Sequence, residues 1–302
     1  MKILKKLILR NFFYLLFFFP QLIAGPIVRY NYIVPQYTHE NNNNINFNNI
    51  SIGLILILIG FLKKILIADN LGNFVDIGYE SPETLNVVES WLISISFTFQ
   101  IYFDFTGYVD MATGSAMLFN IKLPQNFDSP FKANSLINFW QRWHMTLTNF
   151  LTNYIFNPSV KALKKVTFLK MMLIIIMVFI ICGFWHGPSW MYGFFGLLHG
   201  LGLVVNHIFN KLFNFKLPKL LSWFLTFTYV NITFIFFRIQ NFNDSILIIS
   251  KMLGLNKLGE GIFLTKDFYI LISFIIACFV INNLFKNSYE LFSKYLYFKG
   301  NN

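Results

Sequence analysis

Acidic side chains are scarce in this 302-residue chain: 13 Asp and Glu stand against 24 Lys and Arg, and none lies between residues 129 and 243. A carboxylate-bridged metal pair or a buried acid–base carboxylate dyad cannot be built from that segment. Cysteine is nearly absent as well. Cys182 and Cys278 both fall inside apolar runs, which excludes a disulfide framework and reads as two buried small hydrophobes. Histidine is equally sparing, with five in the chain; His186, His199 and His207 contain no His-x-x-x-His pair. A histidine-box metal site is therefore excluded, and no metal is expected. No Gly-x-Ser-x-Gly elbow occurs, which removes that route to a serine nucleophile.

Charge of either sign is thin, at 12% of residues against 56% hydrophobic, too apolar for an ordinary soluble domain. The chain is expected to live in a bilayer. The net charge of +11 does not point to nucleic acid, because the lysines cluster at the ends of apolar runs, where the positive-inside rule and anionic lipid heads place them.

In chain order, Lys2, Lys5, Lys6 and Arg10 precede an apolar stretch at 11–24. Alone it has the outline of a signal peptide, but the chain continues as further spans and the stretch is read as membrane-embedded. An Asn-rich linker at 41–49 leads to a span at 50–68 ending in Lys63 and Lys64. Residues 71–90, with Asp76, Glu80, Glu83 and Glu89, are expected to form an aqueous loop. Residues 91–119 are long enough for a span plus an extension. Residues 124–158 are too polar to cross and are read as re-entrant or interfacial. Spans follow at 173–184, 190–209, 220–237 and 268–285, with an amphipathic stretch at 245–253. The total is six or seven. Lys161, Lys164, Lys165 and Lys170 before the 173–209 hairpin, and Lys211, Lys216 and Lys219 after it, put both ends of that hairpin on the cytoplasmic side.

The hairpin carries the most informative residues. Positions 180–200 read Ile-Ile-Cys-Gly-Phe-Trp-His-Gly-Pro-Ser-Trp-Met-Tyr-Gly-Phe-Phe-Gly-Leu-Leu-His-Gly. An imidazole at a Gly-Pro break between two spans is tolerated only where protein or a water-filled cavity satisfies it. His186 thus fits either a general base or a bond to a carbonyl at the break. His199, among Gly193, Gly196, Gly200 and Gly202, fits close helix packing better than chemistry. His144, beside Arg142 and Trp143, fits an interfacial anchor; His207 and His39 read as bystanders. Asp104, at membrane depth in 91–119, needs a partner, and Arg142 or an open helix end would make its role structural. With carboxylates and metals removed, what is left is an imidazole acting as base with neighbouring donors orienting the reactants.

Five blocks, at 19–29 (Phe-Pro-Gln-Leu-Ile-Ala-Gly-Pro-Ile-Val-Arg), 100–112, 126–133, 139–148 (Phe-Trp-Gln-Arg-Trp-His-Met-Thr-Leu-Thr) and 183–190, resemble the membrane-bound O-acyltransferases. The resemblance is closest to the branch that O-acetylates alginate and peptidoglycan. It implies an all-α, polytopic transmembrane helical protein with re-entrant or interfacial helices around a central tunnel, as one membrane domain over 1–302. It also implies that this chain lacks the N-terminal spans such proteins usually carry, so that it is either one part of a split or truncated gene or assembles with a second chain that supplies them. By the same resemblance His186 is the catalytic base and His144 lines the site. The donor implied is acetyl-coenzyme A or another acyl thioester from the cytoplasm, used as substrate, with no bound cofactor. The acceptor is a hydroxyl of an extracytoplasmic polysaccharide or of a periplasmic partner protein, and the location is the cytoplasmic (inner) membrane. Lys161, Lys164 and Lys165 would help gather the anionic donor. Trp185, Trp190, the backbone amides at the Gly-Pro break or His144 would stabilise the oxyanion. Gln141 departs from the family, which commonly has Arg before Arg-Trp-His. The competing readings are a truncated, non-catalytic scaffold and a transporter or channel in which His144, His186 and Asp104 line a path.

Overall fold

The computed structural model describes residues 13, 15, 17–22, 25–37, 42, 44–213, 215, 217–256 and 259–296. Lys2, Lys5, Lys6, Arg10, His39 and Lys216, and positions 11, 12, 14, 16, 23 and 24 of the 11–24 stretch, lie outside the described residues. No strand occurs among the described residues, and the chain is an all-helical polytopic membrane protein. In order, α1 spans Tyr30–Tyr37; α2 (Phe47–Leu62) runs through a π-helical turn (Lys63–Ala68) into α3 (Asp69–Glu80); and α4 spans Val87–Leu118. Three short helices follow, α5 (Leu136–Trp140), α6 (Met145–Leu151) and α7 (Asn157–Lys161), the last two joined by a second π turn. Then come α8 (Phe168–Trp185), α9 (Trp190–Leu212), α10 (Lys219–Arg238), α11 (Phe242–Met252), α12 (Thr265–Leu284) and α13 (Ser288–Leu296).

Five helical segments among the described residues are long and apolar enough to cross a membrane: α2–α3, α8, α9, α10 and α12 with α13, the last pair separated by a break at 285–287. Six or seven were expected. Of the 11–24 stretch, residues 13, 15 and 17–22 are described, too few in a row to be counted as a span. The other difference is α4, long enough at 32 residues but carrying Glu89, Gln100, Asp104 and Asp110, and it is the hub of the packing rather than a lipid-facing span. Its buried face holds Phe97, Phe99, Tyr102, Phe103 and Val109 in the main core, against Phe131, Phe139, Trp143, Phe195, Phe227 and Phe234. Lipid tails are as apolar as these rings, so close edge-to-face packing holds such a core where water release cannot. The opposite case is α8, where Leu169, Leu173, Met177 and Ile181 stay exposed at four-residue spacing, one stripe of a helix turned to hydrocarbon.

Residues 71–90 are not the aqueous loop that their acids suggested. Leu71 and Val75 are fully buried on α3, an i, i+4 pair that packs the helix on α4. Glu89 caps α4, accepting the Asn86 N–H at 3.3 Å while Asn86 Oδ1 accepts the Glu89 N–H at 2.9 Å. The same buried carboxylate also accepts the Ile262 and Phe263 N–H groups at 3.0 Å, fastening the loop before α12.

The α8–α9 hairpin fits the expected topology. Gly183 lies against the Tyr192 carbonyl and Gly196 against the Phe179 carbonyl, with no room for a Cβ at either. The two backbones therefore touch, as small residues permit. Lys211, near the end of α9, stands 4.0 Å over the ring of Phe168 at the start of α8, so the two basic clusters share one end of the hairpin. His186 and Pro188 occupy the other end. Cys182 and Cys278 are buried and unpaired. Within 124–158, α5 is five residues long and α6 continues through its π turn into α7, and neither is among the segments long and apolar enough to cross; α11 buries Ser245, Ile248, Lys251 and Met252 along one side, as its amphipathic pattern predicts.

Candidate active site

His144 and His186 arrive at one cleft from different elements. An extended segment at 121–129 runs beside the turn between α5 and α6: Asn126 O accepts the Met145 N–H and Asp128 N–H donates to Arg142 O, both at 2.9 Å. Arg142 braces this pairing, with Nη1 donating to the Asp128 carboxylate and carbonyl at 3.0 Å. At the end of the turn His144 adopts a left-handed backbone, φ +43°, as the N-cap of α6. A non-glycine residue is held there only when its surroundings over-determine it, a pattern that gathers at functional sites. The imidazole packs edge-on to Phe105, tilted against Phe127 and near Trp185.

His186 caps α8 from the opposite side. Its N–H bonds Gly183 O and that of Gly187 bonds Phe184 O; Pro188 has none to give. The amides at 186 and 187, expected as oxyanion donors, are thus already engaged. The half-buried imidazole sits among Trp185, Tyr192, Phe195 and Phe237, with no side-chain hydrogen bond among the described residues. Both histidines line a cleft of about 530 Å³ whose other wall is residues 25–28 with Leu15, Gln21 and Leu22. Burial pushes His144 down to about 3, the repulsion a protonated pair with His186 would suffer adding to it, and burial pushes His186 down to about 4. Both lie in connections outside the spanning helices, and both are held as neutral bases.

The other expected residues distribute differently. His199 is fully buried away from the cleft: its Nδ1 accepts the Trp140 indole N–H at 3.2 Å and its Nε2 pairs with Thr233 Oγ1 at 2.9 Å. Asp104 does not reach Arg142; it is half-exposed and bonds Lys64 at 2.8 Å, a lysine it shares with Asp69. Trp185 lines the cleft, whereas Trp190 is 84% exposed and packs on Phe184 instead. Lys161, Lys164 and Lys165 precede α8, whose far end carries His186; 18 residues place them about 27 Å from it at 1.5 Å per residue. Between the two ends, Gln141 and His207 line an apolar cavity of about 240 Å³ with Trp140, Thr148, Val178 and Leu203. No cluster of metal-ligating side chains occurs among the described residues.

Sequence reasoning missed what holds His144. Asn126 Oδ1 lies 3.1 Å from His144 Nδ1, 3.2 Å from the Thr146 N–H donor and 2.8 Å from Thr146 Oγ1. Thr146 Oγ1 in turn accepts the Ile27 N–H at 3.0 Å. The chain of bonds runs from the cleft's outer wall to the imidazole.

Residues 4–243 match the family model of MBOAT, the membrane-bound O-acyltransferase family. The peptidoglycan O-acetyltransferase of Helicobacter pylori is 44% identical over 242 residues, which cover 79% of this chain and 46% of that protein. The protein of Azotobacter vinelandii named "Probable alginate O-acetylase AlgI" is 31% identical over 225 residues, 74% of this chain and 44% of its own. The teichoic acid D-alanyltransferase of Bacillus subtilis is 27% identical over 212 residues, 68% of this chain and 54% of its own. The chain spans about half the length of the curated relatives it matches.

Proposed function

The chain belongs to the membrane-bound O-acyltransferase family, and on that footing we propose that it moves an acetyl group from a cytoplasmic thioester to a hydroxyl outside the membrane. His186 is the general base, His144 shares the site, and residues 1–302 act as one membrane domain. The observation that carries this reading is the meeting of two neutral imidazoles, from blocks 42 positions apart in sequence, at one cleft on the turn of a membrane hairpin.

In the reaction, the acceptor hydroxyl gives its proton to the imidazole as its oxygen attacks the thioester carbonyl. The tetrahedral oxyanion is met by donors, for which the Trp185 indole is the candidate on the cleft and Trp190 is not. Collapse breaks the carbon–sulfur bond, and the proton held by the imidazole passes to the departing thiolate. Acetyl-coenzyme A fits the donor role as a substrate. The lysine end of the hairpin is cytoplasmic on the positive-inside rule, so the histidines sit towards the outer face of the inner membrane, and the donor's reactive end must travel most of the length of α8. The acceptor is a polysaccharide, with the peptidoglycan and alginate named for the relatives as first candidates, or a periplasmic protein that passes the acetyl on. A second chain, packed in the same bilayer, is a partner in this reading.

The test is acetyl transfer to a polysaccharide or a surrogate alcohol by membranes carrying wild-type protein or His186→Ala. Transfer that depends on His186 is the expected result; equal transfer by both removes the base assignment, and no transfer by either in membranes that also hold the partner chain removes the enzyme reading.

A further inference from the structure

The Asn126 amide sits where three donors converge, and that convergence fixes the chemistry of the ring beside it. The Thr146 backbone N–H has its hydrogen placed by covalent geometry, so the Asn126 atom 3.2 Å away must be the oxygen and not the NH2. Thr146 Oγ1 already accepts the Ile27 N–H, which leaves its own hydrogen for Asn126 Oδ1 at 2.8 Å. An amide oxygen only accepts. His144 Nδ1, 3.1 Å from the same atom, must therefore carry a proton, since two lone pairs would otherwise face each other. A neutral imidazole protonated at Nδ1 has its lone pair on Nε2, and Nε2 has no protein partner among the described residues while His144 lines the cleft.

We propose that Asn126 is a positioning residue for His144, holding the imidazole as its Nδ1–H form so that Nε2 is presented to the cleft as an acceptor. Asn126 is 1% exposed, and its Nδ2 has no protein partner among the described residues. The residue also lines a cavity of about 30 Å³ with Thr106, Asp110 and Ser288, room for about one water. The charged and titratable surroundings of the ring are few. α4 presents Phe105, while its Asp104 is turned to Lys64. The hairpin turn presents Trp185 and His186, and the 25–28 wall carries no charge. Arg142, two residues back, is committed to Asp128. The link through Thr146 to Ile27 ties the ring's tautomer to the seating of that wall. The catalytic meaning of this rests on the cleft being the site of acyl transfer; the tautomer assignment does not.

The experiment reads ring 15N resonances of histidine-labelled protein in detergent, with the His144 signals assigned by their loss in His144→Gln. Wild-type His144 is expected as the Nδ1–H tautomer, with Nε2 unprotonated. In Asn126→Asp a carboxylate replaces the amide at the same contact, and the titration midpoint of His144 rises by about one pH unit or more. Thr146→Val, which removes the hydroxyl from the relay, loosens the tautomer preference; Thr146→Ser keeps it. An Nε2–H tautomer in the wild type, or a His144 midpoint that does not move in Asn126→Asp, overturns the proposal. Should Asn126→Asp fail to fold, the wild-type tautomer alone decides. In the transfer assay, Asn126→Ala is expected to lower kcat with little change in the acceptor KM, and Asn126→Asp to move the acid limb of the pH profile upward. If the wild type shows no transfer, the function falls while the resonances still judge Asn126.

Discussion

His199 and His144 are buried to nearly the same depth, 0% and 4% exposed, and both sit among aromatic rings. They differ in how many ring nitrogens the protein uses. His199 is bonded at both, to Trp140 and Thr233, and joins α5, α9 and α10 as a strut. His144 is bonded at one, to Asn126, and the other opens on a cleft shared with a second imidazole. Depth of burial lowers the basicity of a histidine; only an unclaimed nitrogen lets that neutral base act on anything.

The comparison breaks most visibly by removing each ring. His144→Ala is expected to cut acetyl transfer by about 10²-fold, the lower end of what a positioned acid–base group supplies, because it removes the ring that accepts from the acceptor hydroxyl beside the base His186, while the unfolding temperature of the detergent-solubilised protein stays close to wild type. His199→Ala should do the reverse: it strands the buried Trp140 indole N–H, at about 1–3 kcal/mol for a group left unsatisfied, while the Thr233 hydroxyl keeps its bond to Val230 O, so Tm falls while transfer per folded molecule persists. A His199 variant that folds normally but transfers nothing would erase the distinction. A similar structural loss is expected for Gly196→Val, which drives a side chain into the Phe179 carbonyl and overpacks the hairpin by about 1–3 kcal/mol, read again as Tm. Replacing Lys161, Lys164 and Lys165 together with Ala should be milder, raising the donor KM a few-fold at low salt, with the effect vanishing at high salt and kcat unchanged. A change in kcat would bring these lysines closer to the chemistry than α8 allows. The smallest effect is expected from pH. Because burial holds both His144 and His186 well below the usual imidazole range, the basic form persists as pH falls, and transfer should not drop between mildly alkaline and mildly acidic conditions. A profile that fell with a midpoint near the ordinary histidine value would mean a solvated base.

Much of this was legible in the sequence because it was written in periodicity and position. The apolar runs marked α8, α9, α10 and α12; the lysines at 161–170 and 211–219 predicted that one end of the hairpin is shared, and Lys211 over Phe168 is that shared end. Chemistry that depends on spatial meeting was less visible. Acids at 76–89 suggested a loop, although Leu71 and Val75 already carried the helical spacing that buries α3. Asp104 and Arg142 looked like partners because both were charges in need of one; each had a nearer choice, Lys64 and Asp128. Asn126 and Thr146 fell inside the blocks at 126–133 and 139–148, but nothing there marked them as a pair, since a lone amide and a lone hydroxyl in a chain rich in both become a relay only when loops 119 positions apart come together, as Ile27 and Thr146 do.

The π turn at Lys63–Ala68 has a consequence for how this chain tolerates change. A turn of that kind holds one more residue than its α-helical neighbours, and the surplus rotates everything beyond it by about 100°. Excising a position beyond Lys64 would let the rod wind regularly and swing Leu71 and Val75 off the central helix, while Lys63 and Lys64 kept their places beside Asp110 and Asp104. Length is therefore a constraint on those six positions in addition to the two lysines.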